Sequence, residues 1–201
     1  MKKQDNYLCI NGKKIALTKE QLAQLGVEKP AAILTNNGEI AKIGEYEFIV
    51  LKKDGDEVQL LLKDILCNKP FDSKCNNFAE SDIGEYLDEF ADKLAELVGE
   101  ENIVEHIVDL TADDGLKDYG SCECRASLLT AQMYRDNVYT IDKFNIDKWW
   151  WLATAYSTPK HNDKTWVKCV SPGGFINHCD CTGYRGVRPF CILKSNIFVS
   201  K

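Results

Sequence analysis

The run WWWLATAY, from Trp149 to Tyr156, is the most unusual stretch of the 201-residue sequence, and it decides the fold. On a β-strand Trp149 and Trp151 share one face and Trp150 takes the other, because successive side chains point to opposite sides. Each tryptophan carries a large apolar area that favours burial. We therefore predict a core strand in which at least two of the three tryptophans are buried. A platform on which a sugar or base stacks is the alternative.

Two further strand candidates follow this run, TWVKCV at residues 165–170 and VRPFCIL at residues 187–193. Pro172-Gly173-Gly174 predicts a turn between them. The string from Phe175 to Tyr184 has neither the period of a helix nor the alternation of a strand, so we expect an exposed loop there. Arg188 lies in an apolar segment and therefore needs an internal partner, either a carboxylate or loop carbonyl groups.

Upstream of the tryptophans, the first predicted elements are a hairpin and a helix. Residues 46–66 form two β-type runs around Lys53-Asp54-Gly55, which predicts a hairpin. Ser81 is placed to cap a helix whose apolar residues recur at helical spacing over residues 83–98. Gly99 is predicted to end this helix.

The next segments predict a short strand, a loop and a second helix. Residues 103–111, IVEHIVDLT, alternate as a strand does. The stretch from Asp113 to Glu123 is rich in turn residues and predicts a loop. Ser127 is predicted to open the second helix, SLLTAQMYRD.

The N-terminal residues 1–39 are predicted to form a small appendage. Asn11-Gly12 lies between alternating residues and indicates a hairpin. Thr18 and Gln21 form a capping box for a helix that ends at Gly26. Lys29-Pro30 and Asn36-Asn37-Gly38 indicate turns. The main domain then spans residues 40–201, and its order of strands, two helices and more strands predicts an α+β fold with small antiparallel or mixed sheets and long loops.

Composition limits the classes of function. Hydrophobic residues make up 44% and charged residues 28% of the chain, as in ordinary soluble domains. The net charge of −6 argues against a nucleic-acid binder. Membrane insertion is not expected, because no apolar run is long enough to span a bilayer. The N-terminal lysines precede no apolar region, so we expect no signal peptide and synthesis in the cytoplasm; association with a virion or a cell surface stays open.

Nine cysteines raise the question of metal or thiol chemistry. In a reducing cytosol most should be free thiols, and an odd count argues against a complete disulfide framework. Cys122-x-Cys124 and Cys179-x-Cys181, with Cys169 and His178, could supply zinc ligands. Zinc knuckles usually have two to four intervening residues, and these pairs have one, so we predict no metal and no cofactor.

A catalytic thiol is the other chemical possibility. Cys179 or Cys181 could act as a nucleophile with His178 as its base, but neighbouring residues on an extended chain point apart. His106 lies on an alternating segment and is expected to be structural, and His161 lies in a polar loop. We therefore predict a protein that is not an enzyme, with a thiol- or metal-dependent enzyme using Cys179 and Cys181 as the alternative.

A set of segments resembles an uncharacterised domain family of bacterial and phage proteins. They are KIGEYEFIVL (42–51), FDSKCNNFAESDIGEYL (71–87), LLTAQMY (128–134), WWWLATAYS (149–157) and GVRPFCIL (186–193). The resemblance implies a C-type-lectin-like fold, shared with the variable proteins of diversity-generating retroelements and with formylglycine-generating enzymes. It implies long irregular loops and a closing strand beside the opening one. The Glu-Pro-Asn and Trp-Asn-Asp calcium-sugar signatures of C-type lectins are missing, and likeness to the enzyme extends only to the fold.

Retroelement diversification offers an explanation for the string from Phe175 to Tyr184. Randomising both adenines of an AAC codon yields codons that never encode Lys, Glu, Gln, Met or Trp. The string contains none of these five residues and precedes Gly-Val-Arg-Pro near the end of the chain. An exposed lectin-like loop that drifts in sequence is the alternative explanation.

Together these observations predict a non-enzymatic binding or display protein, encoded by a phage or prophage, with a protein or other macromolecule as its ligand. A structural phage protein without a diversified site is a further alternative. Aromatic and amphipathic side chains suit such contacts, since they supply area and hydrogen bonds at low entropic cost. The predicted ligand-binding residues are Tyr156, His161, Trp166, Phe175, Ile176, Asn177, His178, Cys179, Asp180, Cys181, Thr182 and Tyr184.

Overall fold

The computed structural model describes residues 7–10, 13–16 and 36–198 of the chain. Contacts divide the chain into a small unit, Met1–Ile33 with Phe198–Lys201, and a large unit, Leu34–Ile197. In the small unit β1 (Tyr7–Ile10) pairs antiparallel with β2 (Lys13–Ala16), in agreement with the hairpin predicted there. The helix predicted from Thr18 lies outside the described residues. The domain boundary after residue 39 stays a prediction.

The large unit contains two α-helices and thirteen strands in its described part, so the fold class is α+β. In chain order its strands and helices are β3 (Ile40–Ile43), β4 (Tyr46–Asp54), β5 (Glu57–Leu62), β6 (Cys67–Lys69), α1 (Asp82–Val98), β7 (Ile103–Val104), β8 (His106–Asp109), β9 (Ser121–Cys124), β10 (Ala126–Ser127), α2 (Ala131–Ile141), β11 (Trp150–Ala155), β12 (Trp166–Val170), β13 (Ile176–Asp180), β14 (Arg185–Val187) and β15 (Phe190–Lys194). Short 3-10 helices lie at Phe78–Glu80, Glu100–Asn102, Asp142–Phe144, Pro159–His161 and Ser195–Phe198.

The strands form two main sheets. One is antiparallel, with the order β10-β15-β5-β4-β3 and β7 paired with β15. The other is mixed, with the order β13-β12-β11-β14-β6, and its β11–β14 pair is parallel. Strands β8 and β9 form a separate antiparallel pair. The last strand of the unit, β15, thus returns beside the early strand β5.

Several predicted local signals are confirmed. The hairpin of β4 and β5 turns at Gly55, whose φ of 60° favours glycine, with Asp54 opposite Glu57. The Ser81 hydroxyl accepts the Gly84 N–H and caps α1, and the helix ends at Gly99 with a φ of 87°. These features depend on neighbours within a few residues, which is why the sequence indicates them.

Other predictions are wrong, and each failure involves pairing with a distant strand. Ser127 does not open the second helix, because it lies in β10 opposite Phe190; Thr130 caps α2 instead. The loop predicted from Asp113 to Glu123 ends early, because β9 starts at Ser121 and pairs with β8.

Two further corrections concern the C-terminal third of the chain. The predicted strand VRPFCIL is divided at Arg188-Pro189 between β14 and β15, which belong to different sheets. The string from Phe175 to Tyr184, predicted as a loop, contains β13, the edge strand of the mixed sheet.

The tryptophan run crosses the middle of the mixed sheet. Trp151 packs on one face with Ile83 and Leu87 of α1, and Trp150 packs on the other with residues of α2. Trp150 and Trp151 are 1% and 0% exposed, whereas Trp149 is 36% exposed. The prediction that at least two of the three are buried is therefore confirmed.

The buried Arg188 is satisfied by backbone carbonyl groups. Its Nε donates to the Leu62 oxygen at 2.7 Å and its Nη2 to the Lys63 oxygen at 2.8 Å. The guanidinium also lies 5.1 Å from the centroid of the Trp150 ring. Burial lowers the pKa of Arg188 to about 10. These bonds confirm the predicted internal partner and connect the β14–β15 junction to the end of β5.

Candidate functional site

One face of the mixed sheet is covered at one end and exposed at the other. Trp150, Val170 and Ile176 pack against the hydrophobic cluster that includes Ala131 and Tyr134 of α2. Further along the same face, the strand pairs Lys168–His178 and Trp166–Asp180 bring polar and aromatic side chains in place of the aliphatic ones. This exposed end is the candidate site.

Three aromatic side chains meet there while staying open to solvent. The His178 ring lies 4.7 Å from Tyr156 and 5.3 Å from Trp166, measured between ring centroids. Tyr156 and Trp166 are each 42% exposed, and His178 is also exposed. We call Tyr156, Trp166 and His178 the aromatic surface. Aromatic side chains that pack together at a solvent boundary, as His178 does with each of the other two, supply area and hydrogen-bonding groups together.

The backbone under this surface is held by buried hydrogen bonds. The Tyr156 N–H donates to the Trp166 oxygen at 2.8 Å, after an irregularity in the pairing of β11 with β12. The fully buried Asn76 donates through Nδ2 to the oxygens of Trp166 and Ser157, at 3.0 and 3.1 Å. The Tyr119 hydroxyl donates to Asn76 Oδ1 at 2.6 Å. Nothing in the local sequence around Asn76 indicates this role.

An ion-paired group borders the aromatic surface. Lys168, directly opposite His178 in the sheet, donates to Asp113 Oδ2 at 2.9 Å, and its Nζ lies 5.6 Å from the Tyr156 ring centroid. Arg135 donates to the other Asp113 oxygen at 3.1 Å. Burial works to raise the pKa of Asp113, but the hydrogen bonds from Lys168 and Arg135 outweigh it and the pKa lies below its ordinary value.

A polar groove of about 230 Å³ adjoins this group. Its lining includes Thr111, Asp113, Thr130, Gln132, Arg135 and Thr154. The Thr154 hydroxyl accepts the Ala131 N–H at 2.9 Å, which holds the side chain in place at the start of α2. The groove therefore lies beside the ion pair of Asp113 with Arg135, and its threonine and glutamine side chains already have hydrogen-bond partners on α2 or in the preceding segment.

His161 belongs to a separate polar group nearby. Its Nδ1 lies 2.9 Å from Asp114 Oδ2, which also accepts the Ser157 hydroxyl at 2.6 Å. The hydrogen bond from Ser157 and then that of His161 lower the pKa of Asp114. Since Ser157 follows Tyr156, this group also fixes the chain beside the aromatic surface.

The twelve predicted ligand-binding residues fall into three classes of exposure. The exposed ones are Tyr156, His161, Trp166, Phe175, Asn177, His178, Thr182 and Tyr184. Ile176 and Asp180 are half-buried, whereas Cys179 and Cys181 are buried. The two cysteines lie on the opposite face of the sheet from His178 and pack in the cluster around Trp151. The alternation of β13 directs Cys179 inward, and Cys181, which follows the end of that strand, is buried in the same cluster, so neither side chain lies on the exposed surface where the other predicted contacts lie.

The turn before β13 is as the sequence predicts. Gly174 has a φ of +79°, and its carbonyl accepts the Tyr134 hydroxyl at 2.6 Å. Phe175 follows and is 75% exposed. On the edge strand the Asn177 side chain accepts the His178 N–H at 2.9 Å, so this backbone N–H has a partner without a further strand.

The cysteines of residues 36–198 lie in separate places in the fold. In the described ranges of the chain, no group of three or more His, Cys, Asp or Glu side chains is placed to hold a metal ion. The two predicted Cys-x-Cys pairs behave differently. The Sγ atoms of Cys122 and Cys124 are 3.5 Å apart, whereas the Sγ atom of Cys179 lies 2.7 Å from that of Cys169 instead of contacting Cys181. His178 points away from these sulfurs and towards Tyr156 and Trp166.

His106 takes the structural position expected of it. Its Nε2 lies 2.9 Å from the Ser127 hydroxyl, and its ring packs edge-on against Phe190 at 5.1 Å between centroids. Burial lowers the pKa of His106.

Comparison with known proteins supplies no family. The chain matches no protein-family model, no curated protein and no solved structure. No helix in the described part of the chain is both long and apolar enough to cross a membrane.

Proposed function

We propose that this protein is a non-enzymatic binding module that contacts a protein or another macromolecule through the aromatic surface. The observation that carries the proposal is the convergence of Tyr156 and Trp166 on His178, which contacts both rings, while all three side chains stay exposed. A few aromatic residues in such positions supply most of the binding energy of many interfaces.

The support beneath the surface favours binding with little rearrangement. Asn76 joins the backbones of Ser157 and Trp166, and His178 lies opposite Lys168 in a regular strand pair. A rigid backbone lowers the entropic cost of binding, since fewer groups become ordered on contact. Phe175 and Tyr184 lie just outside the two ends of β13 and are also exposed.

A C-type-lectin-like fold belongs to the same proposal. Its support is the return of β15 beside β5 and the second, mixed sheet with long connections. Diversification, if it occurs, is restricted by burial to the exposed positions Phe175, Asn177, His178, Thr182 and Tyr184. A neighbouring reverse-transcriptase gene, with a near-copy of the 3′ coding repeat that differs at adenines, would support a retroelement target. Its absence would favour a structural phage protein without a diversified site.

The test of binding uses three matched proteins: wild type, a triple variant with Tyr156→Ala, Trp166→Ala and His178→Ala, and Tyr139→Ala. Tyr139 is 87% exposed on α2 and serves as the control. Ligands recovered with wild type are expected to bind the triple variant at least about 100-fold more weakly, because several hot-spot side chains are lost. The control is expected to bind as wild type does.

The melting temperatures of the three proteins must agree, so that a loss of binding is not a loss of folding. A ligand that binds wild type and the triple variant equally well would refute the proposal. Stoichiometric zinc or copper in the purified protein would instead favour the thiol- or metal-dependent enzyme.

A further inference from the structure

Two cysteines on neighbouring strands of the mixed sheet lie in contact. The Sγ atoms of Cys169 on β12 and Cys179 on β13 are 2.7 Å apart, and both side chains are buried. A disulfide has an S–S length of about 2.05 Å, so the sulfurs would need to approach by only about 0.7 Å. The proposed binding through the aromatic surface does not involve this pair, because the two cysteines lie on the opposite face of the sheet.

Arg185 on β14 contacts one of the two sulfurs, that of Cys179, and favours its thiolate form. Its Nε donates to Cys179 Sγ at 3.4 Å, while its Nη1 donates to the Tyr184 oxygen at 2.7 Å and holds the guanidinium in place. The hydrogen bond from Cys169 and then the contact with Arg185 lower the pKa of Cys179 to about 6, against the effect of burial. Cys179 is thus the nucleophilic member of the pair, since the thiolate is the reactive form.

We propose that Cys169 and Cys179 form a redox-active dithiol that a hydroperoxide oxidises to a reversible disulfide between β12 and β13. The oxidant is small, as access requires: Cys179 lies on the edge strand and is 8% exposed, while Cys169 is fully buried behind it. Cys169 is the resolving thiol.

The reaction proceeds in two balanced steps. With hydrogen peroxide, the Cys179 thiolate attacks one peroxide oxygen and the O–O bond breaks. The other oxygen leaves as hydroxide, and Cys179 becomes a sulfenic acid. The Cys169 sulfur then attacks Cys179 Sγ, the S–O bond breaks, and a second hydroxide leaves. The protons of the two thiols convert both hydroxides to water. With hydrogen peroxide, two thiols are oxidised to one disulfide and the peroxide is reduced to two waters.

The other thiols provide internal comparisons. Burial raises the pKa of Cys181 to about 11, so this neighbour stays a thiol at neutral pH. Cys122 and Cys124 lie two residues apart on one strand, and their Sγ atoms are 3.5 Å apart, compared with 2.7 Å for Cys169 and Cys179. We expect peroxide to leave all three unpaired.

Peptide mass mapping of the wild-type protein tests the proposal. The folded protein is treated with hydrogen peroxide, unfolded in acid, alkylated with N-ethylmaleimide and cleaved before aspartates. Residues 163–179 then carry only Cys169 and Cys179, residues 180–201 carry Cys181 and Cys191, and residues 118–135 carry Cys122 and Cys124. The first peptide is expected to lose two hydrogens and take up no maleimide, and the other two peptides should each take up two. Dithiothreitol before alkylation should restore both sites in the first.

Variants assign the roles of the two sulfurs. Cys169→Ser is expected to leave Cys179 as a sulfenic acid that dimedone traps, and Cys181→Ser should oxidise as wild type does. Arg185→Gln should slow disulfide formation several-fold. The wild-type protein alone can overturn the proposal. It would do so if residues 163–179 carried two maleimides after peroxide treatment, or if Cys179 were linked to Cys181.

Discussion

Asn76 donates a side-chain hydrogen bond to the Trp166 backbone oxygen at 3.0 Å, although the two residues are 90 positions apart in the chain. The same amide nitrogen donates to the Ser157 oxygen. One buried residue of a loop therefore joins two of the segments that carry the aromatic surface, and the first prediction concerns its removal.

Asn76→Ala should lower the free energy of unfolding by about 2 kcal/mol, because the buried Ser157 carbonyl and the Tyr119 hydroxyl lose their partner and the Trp166 carbonyl keeps only the Tyr156 N–H. Asn76→Asp should cost more, since a carboxylate oxygen would face those two carbonyl oxygens. Urea denaturation measures both. Asn137→Ala is the control: Asn137 bonds only within α2, to the Met133 oxygen, and should show little change. Equal stability of Asn76→Ala and wild type would contradict this role.

The three tryptophans should differ sharply in their effect on stability. Trp150→Ala and Trp151→Ala should each lower the unfolding free energy by about 3–5 kcal/mol, because they leave cavities in the two clusters that flank the sheet. Trp149→Ala should cost less than about 1 kcal/mol, since its side chain is partly exposed. Thermal melts of the three single variants, read by far-UV circular dichroism, measure the order. A Trp149 variant as unstable as the other two would mean that this side chain contributes to the core.

Arg188→Leu should destabilise the large unit by at least about 2 kcal/mol, because the buried Leu62 oxygen and the partly buried Lys63 oxygen lose their donor. Arg135→Leu is the matched control. Its ion pair with Asp113 is half exposed, so the expected loss is about 0–1 kcal/mol. Denaturation midpoints of the two variants give the comparison, and similar values for both would show that the carbonyl contacts of Arg188 contribute little.

His106 should make stability depend on pH in the acid range. Burial lowers the pKa of His106 in the folded state, so below its ordinary pKa of about 6.5 the unfolded chain binds a proton that the folded chain does not. Stability should therefore decrease as the pH falls from about 7 to 5. His106→Gln, which can still bond to Ser127, should reduce this slope and change nothing between about pH 7.5 and 8.5. Identical slopes for the two proteins would exclude His106 as a cause.

Randomisation of residues 175–184, followed by sorting for folded protein, should divide the positions by burial. Cys179 and Cys181 face the core and should accept only small apolar residues or cysteine. Phe175, His178 and Tyr184 are exposed and should accept most residue types at a cost of about 0.5 kcal/mol or less each. Frequent Lys or Glu at position 181 among the folded clones would contradict the inward orientation.

The sequence by itself determined the features whose causes are local. The turn at Gly55 connects β4 and β5 as a hairpin, and Ser81 and Gly99 mark the two ends of α1. The large apolar area of Trp150 and Trp151 favours their burial. Each follows from backbone preferences or side-chain area, which neighbouring residues are enough to reveal.

Only the tertiary structure decided the features that depend on distant partners. Ser127 lies in a strand because Phe190 pairs with it, and β13 is extended because β12 lies beside it. The same pairing directs His178 outwards and Cys179 inwards against Cys169. Strand hydrogen bonds join residues far apart in the chain, so the mixed residue types of a short string do not reveal which partner it will meet or which of its side chains will face solvent.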